Sequence, residues 1–567
     1  MPRFYLTTAI YYPNAVPHLG TAYEILGTDA VARWRRLRGD EVFFLSGNDD
    51  HAQKVALRAA EKGQSPEAYC DGMAAAYDEA WRALGVSYDE YIRTASDRHR
   101  DTVRWFFERV RERDRDRKEP LVYKGAYEGL YCLGCEAYLR EKDLADGRCP
   151  SHPDRVPQAL KEENWFFRLS DFAGRLDRWF GENPEWLRPE SKRNEMRALL
   201  REGLQDVSIS RPRRAVGWGI PFPGDEEAQV VYVWFDALIN YVSGARLRPD
   251  GTPRPDEPGR GPGFWPADLH VVGKDIVRFH TLLWPAMLWA ADLPLPRSVF
   301  VHGFVQTGGA KMSKSQGAVV SPVEVARAYG VDALRYFLLR EVAWGADGEF
   351  SLERLEERFA SDLANTAGNL LHRTLTMIEK YCAGVTPERS GNDYGPEGDS
   401  IHSVGALELL LLARRQEAAD AYDALDFSRA LEQTLDIARQ ANQRIDSVAP
   451  WKLMKEPTGE GRKVVLDLLN VLVEALKDMA VLLSPVLPGK AREMWLALGL
   501  EEAEFDAVRI ALPGEGQKDT ANLEEMNPLK AFAALDAVQV EGRTVRKGDP
   551  LFPRRDVTGP ATPSPRR

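Results

Sequence analysis

Apolar residues in the first part of the chain fall into short continuous runs, separated by longer stretches with helical spacing. Phe4 to Ile10 is one run and Val42-Phe43-Phe44-Leu45 is another. Runs this short and bounded by turn residues predict strands buried on both faces. Between them, about Thr21 to Arg38 carries apolar side chains at helical spacing, and a second helix is predicted from about Ala52 to Lys62. Strands alternating with helices predict a parallel, doubly wound α/β sheet, which takes ligands beyond the carboxyl ends of its strands.

The alternation breaks at 121–225 and resumes with the strands His270-Val271-Val272 and Val299-Phe300-Val301. From about residue 350 the pattern is helical throughout. Leu352–Cys382, Gly405–Asp423, Phe427–Val448 and Arg462–Leu483 all place apolar residues at i, i+3, i+4 and i+7, which predicts an antiparallel bundle. Beyond Pro513 the composition is mixed. Leu529–Val540 predicts a short helix packing back on the sheet side, and the Pro- and Arg-rich end from Pro553 reads as disordered. The expected organisation is therefore 1–120 and 226–325 as halves of a Rossmann-like domain, with 121–225 inserted between them. A linking region at 326–360, a helical domain at 361–510 and an extension at 511–567 follow.

Composition narrows the class. The chain has 567 residues and a 44% apolar fraction, enough for about three or four ordinary globular domains. Its most apolar run, Val464 to Leu487, contains Asp467, Glu474, Lys477 and Asp478, so no membrane span is expected. The N-terminus is a strand and a loop rather than a signal peptide, which predicts a cytoplasmic protein. A net charge of −11 speaks against a generally basic nucleic-acid binder but leaves room for a local basic stripe. Five cysteines, three of them clustered, do not make a disulfide framework. Cys70 and Cys382 fall in helical patterns and read as inert buried thiols.

Three stretches carry chemistry. Lys311-Met312-Ser313-Lys314-Ser315 follows Gly308 and Gly309, and offers two lysines and two hydroxyls in a loop suited to a polyphosphate. Pro17-His18-Leu19-Gly20-Thr21 lies between the first strand and its helix, where backbone N–H groups and the helix dipole make an anion site. His18 and Thr21, three apart, can face one ligand. Third, Cys132 and Cys135, then Cys149 and His152, form two knuckles. Four such ligands predict a closed, structural zinc site that staples a small insertion. Two acidic residues follow strands: Asp49 after the second, and Asp275 after Gly273 and Lys274. Asp275 can take a ribose hydroxyl pair or merely begin a helix, and both readings stay open.

HLGT at 18–21 and KMSKS at 311–315 resemble the two signature motifs of class I aminoacyl-tRNA synthetases. From residue 3 to about 500 the chain looks like the bacterial-type methionyl-tRNA synthetase family with a single zinc-knuckle insertion. The resemblance departs at Thr21, where the family carries a second histidine. It implies ATP-dependent activation of methionine and transfer to tRNA(Met), with magnesium accompanying ATP. His18, Thr21, Lys311 and Lys314 would be catalytic, and Gly20, Gly273, Asp275 and Ser313 would join them around ATP. Ile10, Tyr12, Asp49, Trp234, Ala237, Tyr241, Ile276 and His280 would hold methionine, Asp49 through the amino group. A thioether offers almost no hydrogen bonding, so its recognition rests on shape and on sulfur–aromatic contact. Asn369 and Arg373, on one helix face, and Trp451, after Pro450, would read the anticodon. Lacking the appended dimerising domain of some members, the chain is expected to be a monomer.

Two other readings remain at this point. One is a class I synthetase for another aliphatic amino acid, although the zinc region leaves little room in 121–225 for the editing domain of those enzymes. The other is a non-catalytic, synthetase-derived tRNA-binding protein, for which Thr21 is the only hint.

Overall fold

The computed structural model describes residues 2–132, 137–139, 141, 144–150, 156–245, 264–307, 310–311, 320–390, 404–456, 459–510 and 531–553. Its centre is a six-stranded sheet of β1 (Arg3–Thr8), β2 (Glu41–Asn48), β3 (Glu90–Arg93), β4 (Leu187–Arg188), β5 (Leu269–Gly273) and β6 (Val299–His302). The spatial order is β3-β2-β1-β5-β6-β4, and every neighbouring pair is parallel. Between β1 and β5 the winding reverses, which opens a crevice at their carboxyl ends.

Alternate side chains of β1 and β2 feed two cores. Leu6 and Phe44 join the core beneath helix α1 (Leu19–Leu37), which continues into the helical half of the chain. Tyr5, Phe43 and Leu45 join the opposite core, under helix α2 (Asp97–Asp114) and the insertion. Strands covered on both faces read as unbroken apolar runs, which is why the sequence reveals them. The run Phe4–Ile10 is a strand only as far as Thr8. Beyond it, Ala9 still donates to the Val271 carbonyl (3.2 Å) and Tyr11 to that of Gly47 (2.9 Å). Gly47 leaves no room for a side chain, since a Cβ there would stand 2.2 Å from the Ile92 carbonyl oxygen.

The insertion departs from expectation in one respect. Most of it forms a separate antiparallel sheet, Ala137–Leu139, Val122–Cys132, Gln158–Phe167 and Val207–Ser208 in spatial order. Leu187 and Arg188, however, return as edge strand β4 of the main sheet, paired with Val299 and Phe300. The segment 121–225 is therefore not wholly set apart.

Helix α3 (Val233–Leu238) and a turn of helix at Asn240–Gly244 precede β5, and α4 (Val331–Glu341) leads into the bundle of α5 (Asn369–Cys382), α6 (Val404–Asp423), α7 (Phe427–Val448) and α8 (Glu460–Leu483). Widened π-type turns at Phe279–Leu283 and Phe359–Gly368 have no signature in the apolar pattern. Among the described residues of the C-terminal extension only Ala533–Asp536 is helical. It lies on the bundle rather than on the sheet side: Arg415 of α6 bonds Asp536, and Lys477 of α8 donates to the Val538 carbonyl (2.9 Å). Of the stretch from Pro553 read as disordered, all but Pro553 lies outside the described residues. No helix among them is long and apolar enough to cross a membrane.

Candidate active site

The crevice holds a narrow cavity walled by Ala9, Ile10, Tyr12, Asp49, Trp234, Ala237, Leu238, Asn240, Tyr241, Ile276 and His280. All eight residues proposed from sequence for the amino-acid pocket are among them. Ala9, Leu238 and Asn240 were not foreseen; the first two are apolar and carry no chemical signal, while Asn240 is a buried amide that donates to the Ala237 carbonyl (2.5 Å). The aromatic wall is closely packed. Trp234 lies flat on Phe279, with ring centroids 3.9 Å apart and 3° between planes, and Tyr12 meets Trp234 edge-on at 6.0 Å. The Lys54 ammonium lies over the Tyr12 ring.

At one end the Tyr241 hydroxyl and His280 Nε2 are 2.7 Å apart, and His280 Nδ1 is 3.0 Å from the Ile276 carbonyl oxygen. A carbonyl only accepts, so the histidine proton sits on Nδ1 and Tyr241 donates to Nε2. Burial holds the imidazole neutral, lowering its pKa to about 4 against the opposing pull of the Ile276 carbonyl. This end of the cavity therefore carries no charge. Asp49, also in the wall, is buried just past the end of β2, and its N–H donates to the Tyr11 carbonyl (2.9 Å).

The stretch before α1 is a capping box. His18 Nδ1 accepts from the N–H of Gly20 (3.0 Å) and of Thr21 (3.4 Å), which leaves the ring proton on Nε2. Thr21 Oγ1 accepts from the His18 N–H (3.0 Å) and donates to the His18 carbonyl (2.8 Å). Both Thr21 hydroxyl bonds thus close on the His18 backbone, so its one hydroxyl proton serves the helix start. Asp275 is exposed in the turn after β5 and folds over Gly273, where a Cβ would come within 2.8 Å of its Oδ1. Lys311 follows the backbone of Gln306 in a short antiparallel pair, while Ser313 and Lys314 lie outside the described residues.

Beneath the pocket lies a polar cluster that the sequence did not suggest. Asp236 on α3 is fully buried, and its two oxygens meet His51 Nδ1 (2.7 Å) and His99 Nε2 (2.5 Å). Burial alone would raise the Asp236 carboxyl; attraction to His51, with hydrogen bonds from His51 and His99, outweighs it and holds the group at about 2.

In the bundle, Asn369 and Arg373 share a face as expected. Both donate to Asn442 Oδ1 at 3.2 Å, and Arg373 also bonds Asp446 (2.5 Å). Trp451 follows Ala449, whose φ of 47° turns the chain sharply, and 43% of its surface is exposed.

A family model described as "tRNA synthetases class I (M)" matches residues 4–156 and 152–375. A methionine–tRNA ligase of Caldanaerobacter subterraneus is 42% identical over 554 residues, spanning 98% of this chain and 79% of its own length. One from Synechocystis is 38% identical and covers 98% of both chains. The Mycobacterium tuberculosis methionyl-tRNA synthetase bound by methionyl-adenylate superimposes with a TM-score of 0.83 and 34% identity, over 97% of this chain and all of that one. This chain belongs to the methionyl-tRNA synthetase family. Its activity is that of an ATP-dependent methionine–tRNA ligase, so the readings as a non-catalytic relative or as an enzyme for another aliphatic amino acid fall away.

In this synthetase the two cysteine–histidine knuckles expected from sequence are only partly described. Cys132 closes the strand Val122–Cys132 and is buried, as is Cys149; Cys135 and His152 lie outside the described residues. With only these two of the four predicted ligands described, no group of three or more metal-ligating side chains gathers among the described residues.

Proposed function

We propose that the cavity between β1, β2, α3 and the turn carrying His280 holds the methionine to be activated. The observation that carries this is that one cavity wall joins the uncharged Tyr241–His280 pair and the buried Asp49 carboxyl. A neutral, aromatic end suits a thioether, and a buried carboxylate in the wall suits an ammonium group. Ile10, Tyr12, Trp234, Ala237 and Ile276 supply the shape. Tyr241→Phe keeps the ring and removes the proton given to His280. Its expected effect in ATP–pyrophosphate exchange is a KM for methionine raised about tenfold with the KM for ATP unchanged. Equal effects on both substrates, or none, would remove the assignment.

For ATP, the N–H-rich start of α1 and the Nε2–H of His18 supply donors to phosphate oxygens. Gly273 allows close backbone approach and Asp275 takes ribose hydroxyls. Lys311, Ser313 and Lys314 complete the set with two ammonium groups and a hydroxyl; Gly20 and Thr21 contribute by forming the helix start. The methionine carboxylate attacks the α-phosphorus and pyrophosphate leaves, giving methionyl-adenylate. A ribose hydroxyl of the tRNA then attacks the acyl carbon and AMP leaves. No side chain need act as nucleophile, so catalysis is positioning and charge stabilisation. Magnesium supplies charge neutralisation to the phosphates when ATP is bound.

We assign the anticodon to the exposed Trp451 indole with Asn369 and Arg373, as unpaired bases are read by stacking and edge hydrogen bonds. Asn442 supports both polar side chains from below. Zinc held by Cys132, Cys135, Cys149 and His152 would brace the insertion, and metal analysis of the purified chain tests that assignment.

A further inference from the structure

We infer that Asp236 is a positioning residue for the amino-acid pocket, locking the helix that carries Trp234 and Ala237 to the loop that carries Asp49. The inference rests on the assignment of that cavity to methionine.

Helix α3 is only six residues long, so its own hydrogen bonds fix its orientation weakly. Its anchor is the Asp236 side chain, which lies between two residues of the pocket wall and points away from the cavity. One carboxylate oxygen bonds His51, two residues beyond Asp49 on the loop after β2. The other bonds His99 at the start of α2. A carboxylate only accepts, so each histidine donates the proton on the nitrogen that faces it. The far side of His99 is held as well: its Nδ1 is 2.7 Å from the Ser243 hydroxyl, which donates to it when the ring proton sits on Nε2. His51 is braced by the edge of Trp218, whose indole N–H donates to the Asp50 carbonyl (2.7 Å). Three segments distant in sequence thus meet at one buried carboxylate, and two of them present walls to the same cavity. A shift of α3 against the loop would change the distance between Trp234 and Asp49, which the mechanism needs constant.

Asp236→Asn keeps the volume but replaces one acceptor by an amide donor. That donor would face a histidine N–H, and one arm must let go. In ATP–pyrophosphate exchange the variant should raise the KM for methionine at least about tenfold and leave the KM for ATP within about twofold. Asp236→Glu restores the carboxylate and should recover part of the loss. His51→Gln releases only the arm to the Asp49 loop and should act in the same direction, more weakly. Circular dichroism and thermal melting establish that each variant is folded. The inference is overturned if Asp236→Asn folds and binds methionine normally, or if both KM values rise together. Should Asp236→Asn not fold, the same split read in His51→Gln decides. Trp234→Leu separates the two claims: if it too leaves the KM for methionine unchanged, the pocket is misassigned. If it raises that KM while Asp236→Asn and His51→Gln do not, only the positioning role fails.

Discussion

At His18 one imidazole serves two structures. Its Nδ1 closes the first turn of α1, and this obliges Nε2 to carry the proton that faces outward. Thr21, where the family resemblance is broken, completes the box from the other side. Thr21→Val preserves its shape and deletes both hydroxyl bonds. We expect about 1 kcal/mol less stability in thermal melting, the usual worth of a cap, with the KM for ATP unchanged. A variant of normal stability but slower pyrophosphate exchange would mean that the hydroxyl reaches the phosphates after all. Trp451 presents the opposite case, a large apolar side chain left in solvent at the top of the bundle. Trp451→Ala should cost ~1–3 kcal/mol of stacking, seen as slower tRNA charging with unaltered pyrophosphate exchange. A parallel fall in both reactions would place the indole in the fold instead.

Among the elements, those governed by one strong pattern were legible. β1, β2 and β5 are buried on both faces and read as apolar runs, and α6 to α8 repeat apolar residues at helical spacing over five or more turns. Edge strand β4 has two residues and no pattern to show. The π-type turn that brings His280 into the pocket depends on packing, not on local propensity. The Asp236 cluster joins residues 137 and 185 positions apart, a proximity only the folded sheet creates. Helix α8 carries a further buried cluster whose pH behaviour can be tested. Burial raises the Asp478 carboxyl to about 6 from an ordinary 3.8, although Arg415 and Lys477 pull it down. A carboxyl raised in the folded state contributes stability that is full below about pH 4 and is lost as pH climbs through 6. Asp478→Asn removes that titration. The variant should lose less stability than the natural chain between pH 4.5 and 7.5, by on the order of 1–3 kcal/mol. Identical pH profiles in thermal unfolding would show that Arg415 compensates the charge fully.

Across the whole molecule, α1 runs from the proposed phosphate site to the helical half. Near its middle, Asp29 is bonded by the fully buried Arg335 of α4 (2.6 Å), which also donates to the Val486 carbonyl (2.7 Å) just past α8. At its far end the Trp34 indole donates to Asp423 of α6 (2.9 Å). Trp344 stacks on Phe300 of β6 and packs against Phe427 of α7, so sheet and bundle share one core. A ligand placed in the crevice is therefore held by a frame that also carries the proposed anticodon face. The central claim remains that this crevice activates methionine by its shape and by its neutral end. ATP–pyrophosphate exchange measured with each of the common amino acids in turn tests it most directly. Exchange should occur with methionine and fall steeply for leucine, isoleucine and valine, by more than the ~1–3 kcal/mol that a single methylene accounts for. Comparable exchange with a branched aliphatic amino acid, or none with methionine, would contradict it.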